Sequence, residues 1–234
     1  MKAAKIQFRR VVGEALLIFA SVFIAIWLEN AWQDHTDITE ARVALGQLLG
    51  ELRADQEFQV RVKESQMAFR ERNEIILSWL ADPESPPSDS VQDAFENYSH
   101  GITIWPRRAA WTTMVAAGQL GLINDKSLVA SLGNFYEHKQ RRLEYNQRIY
   151  DESVELLTRG SIPGIWDFRR RRLMTSDYER IEVFRGKIRN INDWNRWYLN
   201  YIAEYATDLS NLIHDVEQYL QPYGYAVALD NKTS

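Results

Sequence analysis

Cysteine does not occur in this chain of 234 residues, which excludes disulfides and thiolate-held metals. Glycine and proline are scarce, at 11 and 6 residues, and they gather at a few points. The chain therefore lacks the turn signals that a many-stranded β fold needs. Strong charge of one sign is missing as well. The 28 basic residues stand against 32 acidic ones, and a formal net charge of -4 sets up no field that would draw nucleic acid. His35, His100, His138 and His214 share no ligand spacing, and no Glu-x-x-His pair is present. A phosphate loop, a Gly-x-Ser-x-Gly elbow and a zinc-protease helix motif are all absent from the sequence. What remains is a set of long, lightly interrupted helices, with no cofactor or metal implied and no basis for naming a reaction.

The most distinctive stretch that is present is "VVGEALLIFASVFIAIWLENAWQ", Val11 to Gln33. It has the length of roughly 20 residues that a helix needs to cross a bilayer, and from Ala15 to Leu28 it shows almost no polar face. Lys2, Lys5, Arg9 and Arg10 precede the run, while Glu29, Asp34, Asp37 and Glu40 follow it. The positive-inside rule then leaves residues 1–10 in the cytoplasm and exports the rest, with Trp27 and Trp32 at the outer headgroups. No small-x-small cleavage site follows the run, so an uncleaved single span is expected over 11–33. Glu14 shares a stripe with Ser21 and Ala25. Its carboxyl either bonds to a partner helix within the membrane or pairs with Arg10 at headgroup level.

Beyond the span, residues 34–221 read as an extracytoplasmic helical bundle, and residues 222–234 as a tail. Ala41, Leu45, Leu48, Leu52, Val62, Phe69, Ile76 and Leu80 recur at helical spacing. Asp55, Gln59, Gln66 and Asn73 interrupt that stripe, which suggests a loosely covered face. Thr36 or Asp37 could start a new helix, or the first helix could run straight on. The loop "ADPESPPSDS" (81–90) opens a segment of short helices over about 81–124, expected to cap the bundle. Asn124 or Asp125 caps the next helix, which stops at Gly160 and Pro163. A capping box at Ser176 and Glu179 starts the last helix. Its stripe runs from Ile181 to Tyr219 in steps of three and four, with Asn195 as the polar member. That stripe suits either a buried bundle helix or a coiled-coil seam between subunits. The expected fold class is thus all-α: an N-terminal transmembrane helix, then an antiparallel bundle of three long helices with a small helical cap.

In that arrangement the turn "IPGIWDFRRRRLM" (162–174) returns to the membrane. Trp166, Phe168, Arg169, Arg170, Arg171 and Arg172 would then meet anionic headgroups, although a solvated basic turn has the same composition. Trp105, Arg107, Arg108 and Trp111 in the cap could receive a small anionic ligand or a partner loop, or could simply tighten the cap.

Gly13-Glu14 opening an apolar run that ends in Asn30-x-Trp32, followed by "GQLGLINDKSL" (118–128), resembles a family of bacterial single-span proteins known only as a domain of unknown function. The resemblance implies a helical protein of the bacterial inner membrane with a periplasmic domain. It brings no activity and no site residues. Three functions stay open: an interaction, scaffold or sensing subunit that binds a protein partner; an envelope enzyme with its site in the cap; or a self-assembling homo-oligomer. Convergent carboxylates in a deep cap pocket would favour the enzyme, and a filled cap with exposed apolar surface would favour the binding module. The bilayer and a protein are the expected partners, and nucleic acid is not.

Overall fold

In a computed structural model the backbone is described for residues 2–83, 85–98 and 101–224, and the side chains for residue 17 and from residue 19 on within those ranges. Helix α1 runs unbroken from Lys2 to Trp79, so no new helix begins near residue 36. Thr36 and Thr39 instead bond their hydroxyls to the carbonyls of Trp32 and His35 one turn back, as mid-helix threonines do. After a short loop, α2 (Asp89–Glu96) is capped by Ser88, whose side chain accepts from the Val91 amide. An irregular strap leads to α3 (Ala109–Ala116), which ends at Gly118 with a φ of 69°, a left-handed turn that glycine takes without strain.

The second rod spans residues 126–161 as α4 (Lys126–Asn134), a π-helical stretch (Phe135–Gln140), α5 (Arg141–Glu155) and a second π-helical stretch (Leu156–Ser161). Asp125 caps it by accepting from the amides of Ser127 and Leu128. The wide turns explain an irregular stripe. The spacing from Phe135 to Leu143 breaks the three-four pattern, and the π turn between them keeps both buried. A two-residue hairpin, β1 (Trp166–Asp167) with β2 (Arg172–Leu173), then leads into α6 (Tyr178–Leu220). Asp177 caps α6, one residue later than the sequence suggested.

Cross-helix bonds fix the directions. Arg53 meets Glu217, Gln66 meets Asn195, and Asn73 meets Asn192, so α6 runs antiparallel to α1. Asn124 meets Tyr219, Lys139 meets Asp208 and Ser161 meets Lys187, so the second rod is antiparallel to α6 as well. The first two rods are consequently parallel. This corrects the simple antiparallel bundle: the chain returns between them as a strap, because 81–124 is long enough to travel back down the bundle. Ile102 lies beside Gln66, Arg107 beside Asp55 and Ala110 beside Glu51, each step lower on α1. The segment is a descending strap that closes the side of the bundle, with only α2 at the far end.

The same geometry corrects the position of the basic turn. Trp166 stacks on Phe95 at 4.2 Å and meets Trp79 edge-on at 5.9 Å, at the end of α1 opposite to residue 33. The two ends are separated by about 70 Å of helix. Trp166 is 1% exposed and part of the core, so it cannot insert into headgroups around 27–33.

A further correction concerns the stripe on α1. Its polar members are buried along with its apolar ones: Asp55, Gln59, Gln66 and Asn73 are all covered. The face that looked half-solvated is a core seam containing a hydrogen-bonded ladder. Gln66 Oε1 accepts from Tyr150 Oη at 2.8 Å and from Asn195 Nδ2 at 2.7 Å, while Gln66 Nε2 donates to the Ile102 carbonyl at 2.7 Å. Asn73 donates to Asn192 at 2.9 Å, and Gln59 to the Ile202 carbonyl at 3.2 Å. Such buried amide bonds favour one register, because sliding either helix breaks several of them at once.

Candidate functional site

Between the strap and α5 lies an open groove of about 850 Å³. Trp105, Pro106 and Arg108 form one wall, and Arg141, Glu144, Tyr145, Arg148 and Glu152 line the other, with Gln147 and Asp151 between them. A smaller hollow of about 260 Å³ continues it past Asp151 and Glu155 to Gly101, Phe69 and Arg159.

The strap is held in place by bonds to α1. Asp55, buried at mid-height, accepts the Arg107 amide at 2.9 Å and its guanidinium at 2.7 Å. Burial raises the Asp55 pKa despite those bonds, because lost hydration outweighs a guanidinium that is itself half in water. Glu51 accepts the Ala110 amide at the free start of α3. The Tyr198 hydroxyl accepts the Ile104 amide at 3.1 Å. Each bond satisfies a strap amide that has no helical partner, and together they leave the next residue, Trp105, turned outward at 73% exposure.

The four residues expected to form a ligand cap are thus divided between two tasks. Trp111 is core: it stacks on Tyr136 at 4.7 Å and donates its indole N–H to Glu137 at 3.1 Å. Arg107 serves Asp55. Trp105 and Arg108 face the groove, and Arg108 is engaged there by Glu137 at 3.4 Å and Glu144 at 3.7 Å. Arg141 is spent on Glu137 at 2.6 Å. Sequence reasoning missed the opposite wall, Tyr145, Gln147, Asp151 and Glu152, because polar residues on a helix read as ordinary solvated face. Only the exposed aromatic Tyr145 beside Arg148 gave any signal.

The carboxylates of the groove, Glu144, Asp151, Glu152 and Glu155, follow one another along α5 over about 16 Å. They do not converge on one reacting atom. Asp151 accepts from Thr103 Oγ1 at 3.2 Å, and partial burial raises its pKa against the opposing pull of Thr103 and the nearby Gln147 side chain. Among the described residues no group of His, Asp and Glu could hold a metal ion.

At the hairpin, Arg171 takes a φ of 50° and pairs with Glu96 at 3.0 Å, while the amides of Arg169 and Arg170 bond to Asp167. Arg172 pairs its backbone with Asp167 across the hairpin, and Phe168 is exposed. On α1, Ser21, Ala25, Trp27 and Trp32 are all exposed, among a run of exposed Leu17, Phe19, Phe23, Ile24 and Leu28. Glu14 lies outside the described side chains. Among the described residues no helix is long and apolar enough to cross a membrane, and the first part of the apolar run, 11–16, is not among those side chains.

The profile of a family of unknown function, DUF6090, matches residues 14–161, more than half of the chain, and the chain belongs to that family. No curated protein and no solved structure matches it.

Proposed function

We propose that this member of DUF6090 is a membrane-anchored helical module that acts by binding, as an interaction, scaffold or sensing subunit, with the strap–α5 groove as its docking face. The observation that carries the reading is Trp105, a large aromatic left 73% exposed at the groove mouth by a strap whose neighbouring residues are bonded inward. Large aromatics in partly dry grooves are common binding anchors. Tyr145 across the groove is also exposed, and both walls lie within the segment that the family profile matches. A row of carboxylates along one helix suits recognition of an extended segment better than chemistry at a point.

Anchoring is read from the other end of α1. Apolar side chains exposed on every side of the helix through 19–32 need an apolar surrounding, and with residues 11–16 the run reaches bilayer length. The charge asymmetry puts the N-terminus in the cytoplasm and the bundle outside a bacterial inner membrane, with Trp27 and Trp32 at the interface. A photo-crosslinking amino acid at Tyr145 in the full-length, membrane-embedded protein tests the docking face, with one at Val183 on α6 as control. A specific adduct at Tyr145 and none at Val183 supports the reading. Adducts at both positions, or a purely self-linked product through Val183, would replace it with self-assembly.

A further inference from the structure

We propose that the floor of this groove binds the guanidinium group of an arginine presented by an extended segment of a partner protein. The inference rests on the docking reading above and specifies its chemistry.

The argument is one of charges left over. Three arginines line the groove, which at first suggests an anion. Arg108 is engaged by Glu137, Glu144 and the Tyr136 carbonyl, and Arg141 by Glu137. Arg148 lies 5.7 Å from the ring centroid of Tyr145, a cation–π distance. The acids of the opposite stretch are less well matched. Glu155 pairs with Arg159 at 2.7 Å, but among the described residues Asp151 and Glu152 have no cationic partner. Asp151 instead accepts from the neutral Thr103 hydroxyl beside the neutral Gln147 side chain, so its partly buried charge is under-compensated, in keeping with its raised pKa.

Gln147 adds an acceptor. It is 3% exposed, its side chain lies near enough to Asp151 to favour the ionised carboxylate, and its Oε1 has no hydrogen-bond partner among the described residues. A buried amide oxygen without a donor is costly, and the terminal torsion of glutamine is soft enough to offer it to an entering N–H. Gln147, Asp151 and Glu152 are spaced at i, i+4 and i+5, an acceptor set on adjoining helix positions. Guanidinium has five donors and no acceptor, and its plane stacks on aromatic rings. Trp105 supplies such a ring at the rim. An anionic ligand would meet two unpaired carboxylates instead.

The test uses full-length protein in nanodiscs with nitrogen-15-labelled tryptophan indoles, the Trp105 resonance being assigned with Trp105→Phe. The probes are the blocked tripeptide acetyl-Gly-Arg-Gly-amide and its citrulline counterpart, which keeps the shape and loses the charge. The arginine peptide should move the Trp105 resonance saturably and the citrulline peptide should not. Asp151→Asn should weaken the arginine peptide by about tenfold, and the surface variant Glu152→Gln by a smaller factor, while Asp193→Asn on exposed α6 leaves it unchanged. If Asp151→Asn fails to fold, Glu152→Gln decides the matter alone. Equal response to arginine and citrulline, or indifference to both carboxylate changes, overturns the proposal. When that result accompanies a partner crosslinked at Tyr145, docking stands and only its chemistry is wrong. When it accompanies no crosslink, both readings fall.

Discussion

Helix α1 carries two segments that invert the usual relation between polarity and burial. Over 19–32 its apolar side chains are exposed, with Trp27 at 69%. Over 41–79 an aspartate, two glutamines and an asparagine are buried beside leucine and phenylalanine. The helix is continuous, so local propensity cannot account for the contrast. What differs is the company. The inner segment packs on α6, α2, α3 and the strap, and every polar side chain it buries finds at least one partner there. The outer segment has no such cover from the described chain, and its sequence suits a surrounding that takes apolar side chains without asking for hydrogen bonds. A residue's burial is thus fixed by what the rest of the chain, or the medium, brings to it.

The largest test of that contrast is to charge the outer segment. On the anchored reading proposed above, Phe23→Lys with Ile26→Lys should cost membrane insertion roughly 5–7 kcal/mol, on a scale of about 2.5–3.5 kcal/mol per lysine at mid-span. The protein should move from carbonate-washed membranes to the supernatant, with the bundle's thermal transition unchanged. A fall in that transition would mean that the outer segment packs against the bundle.

Next in size is a pair of tryptophans. Trp166→Ala removes a ring buried between Phe95 and Trp79 and should destabilise by about 3–5 kcal/mol, lowering the melting temperature by roughly 10 °C. Trp27→Ala should leave melting where it was. Smaller again is Asn195→Leu, which withdraws the donor from Gln66 Oε1 and from the Tyr150 hydroxyl inside the core. We expect a loss of about 1–3 kcal/mol by chemical denaturation, although leucine is the more apolar residue. A stabilised variant would show that the ladder serves register alone.

These variants also mark how far the sequence could be read. The stripe of α6 was legible almost to the residue: Ile181 through Val216 are buried as spaced, as expected of a bundle helix. Asp125 opens its helix, and Gly118 follows the end of another, for reasons visible in the chain. Direction was not legible. A stripe says which face is covered and not by which neighbour, so the second rod was free to run either way. The strap hid for a related reason, since its cover comes from Asp55, Glu51 and Tyr198, each far away in sequence. The α1 amides at 59, 66 and 73 recur every seven residues on the stripe, but their polarity made the face read as loosely covered. Of the groove, only Trp105 and Arg108 were named in advance.

The finest test concerns the one carboxylate buried in the inner segment of α1. The Asp55 pKa lies above the ordinary 3.8 because burial outweighs its bonds to Arg107. The native chain therefore holds that proton more tightly than the unfolded chain does. Its contribution to stability is complete below pH 3.8 and is lost as pH rises through the native value. At neutral pH the ionised group is kept at a desolvation cost, offset by the register it gives the strap. Asp55→Asn retains an oxygen for the Arg107 amide and removes the titration. Stability at pH 7 should change by less than about 1 kcal/mol, since both the cost and the charge-assisted bond disappear. Measured by urea denaturation, wild type should gain on the variant as pH falls from 7 towards 3.8, and the difference should then level off. The opposite slope would mean that Arg107 outweighs burial, and that the inner segment of α1 holds its charge through the ion pair at no net cost.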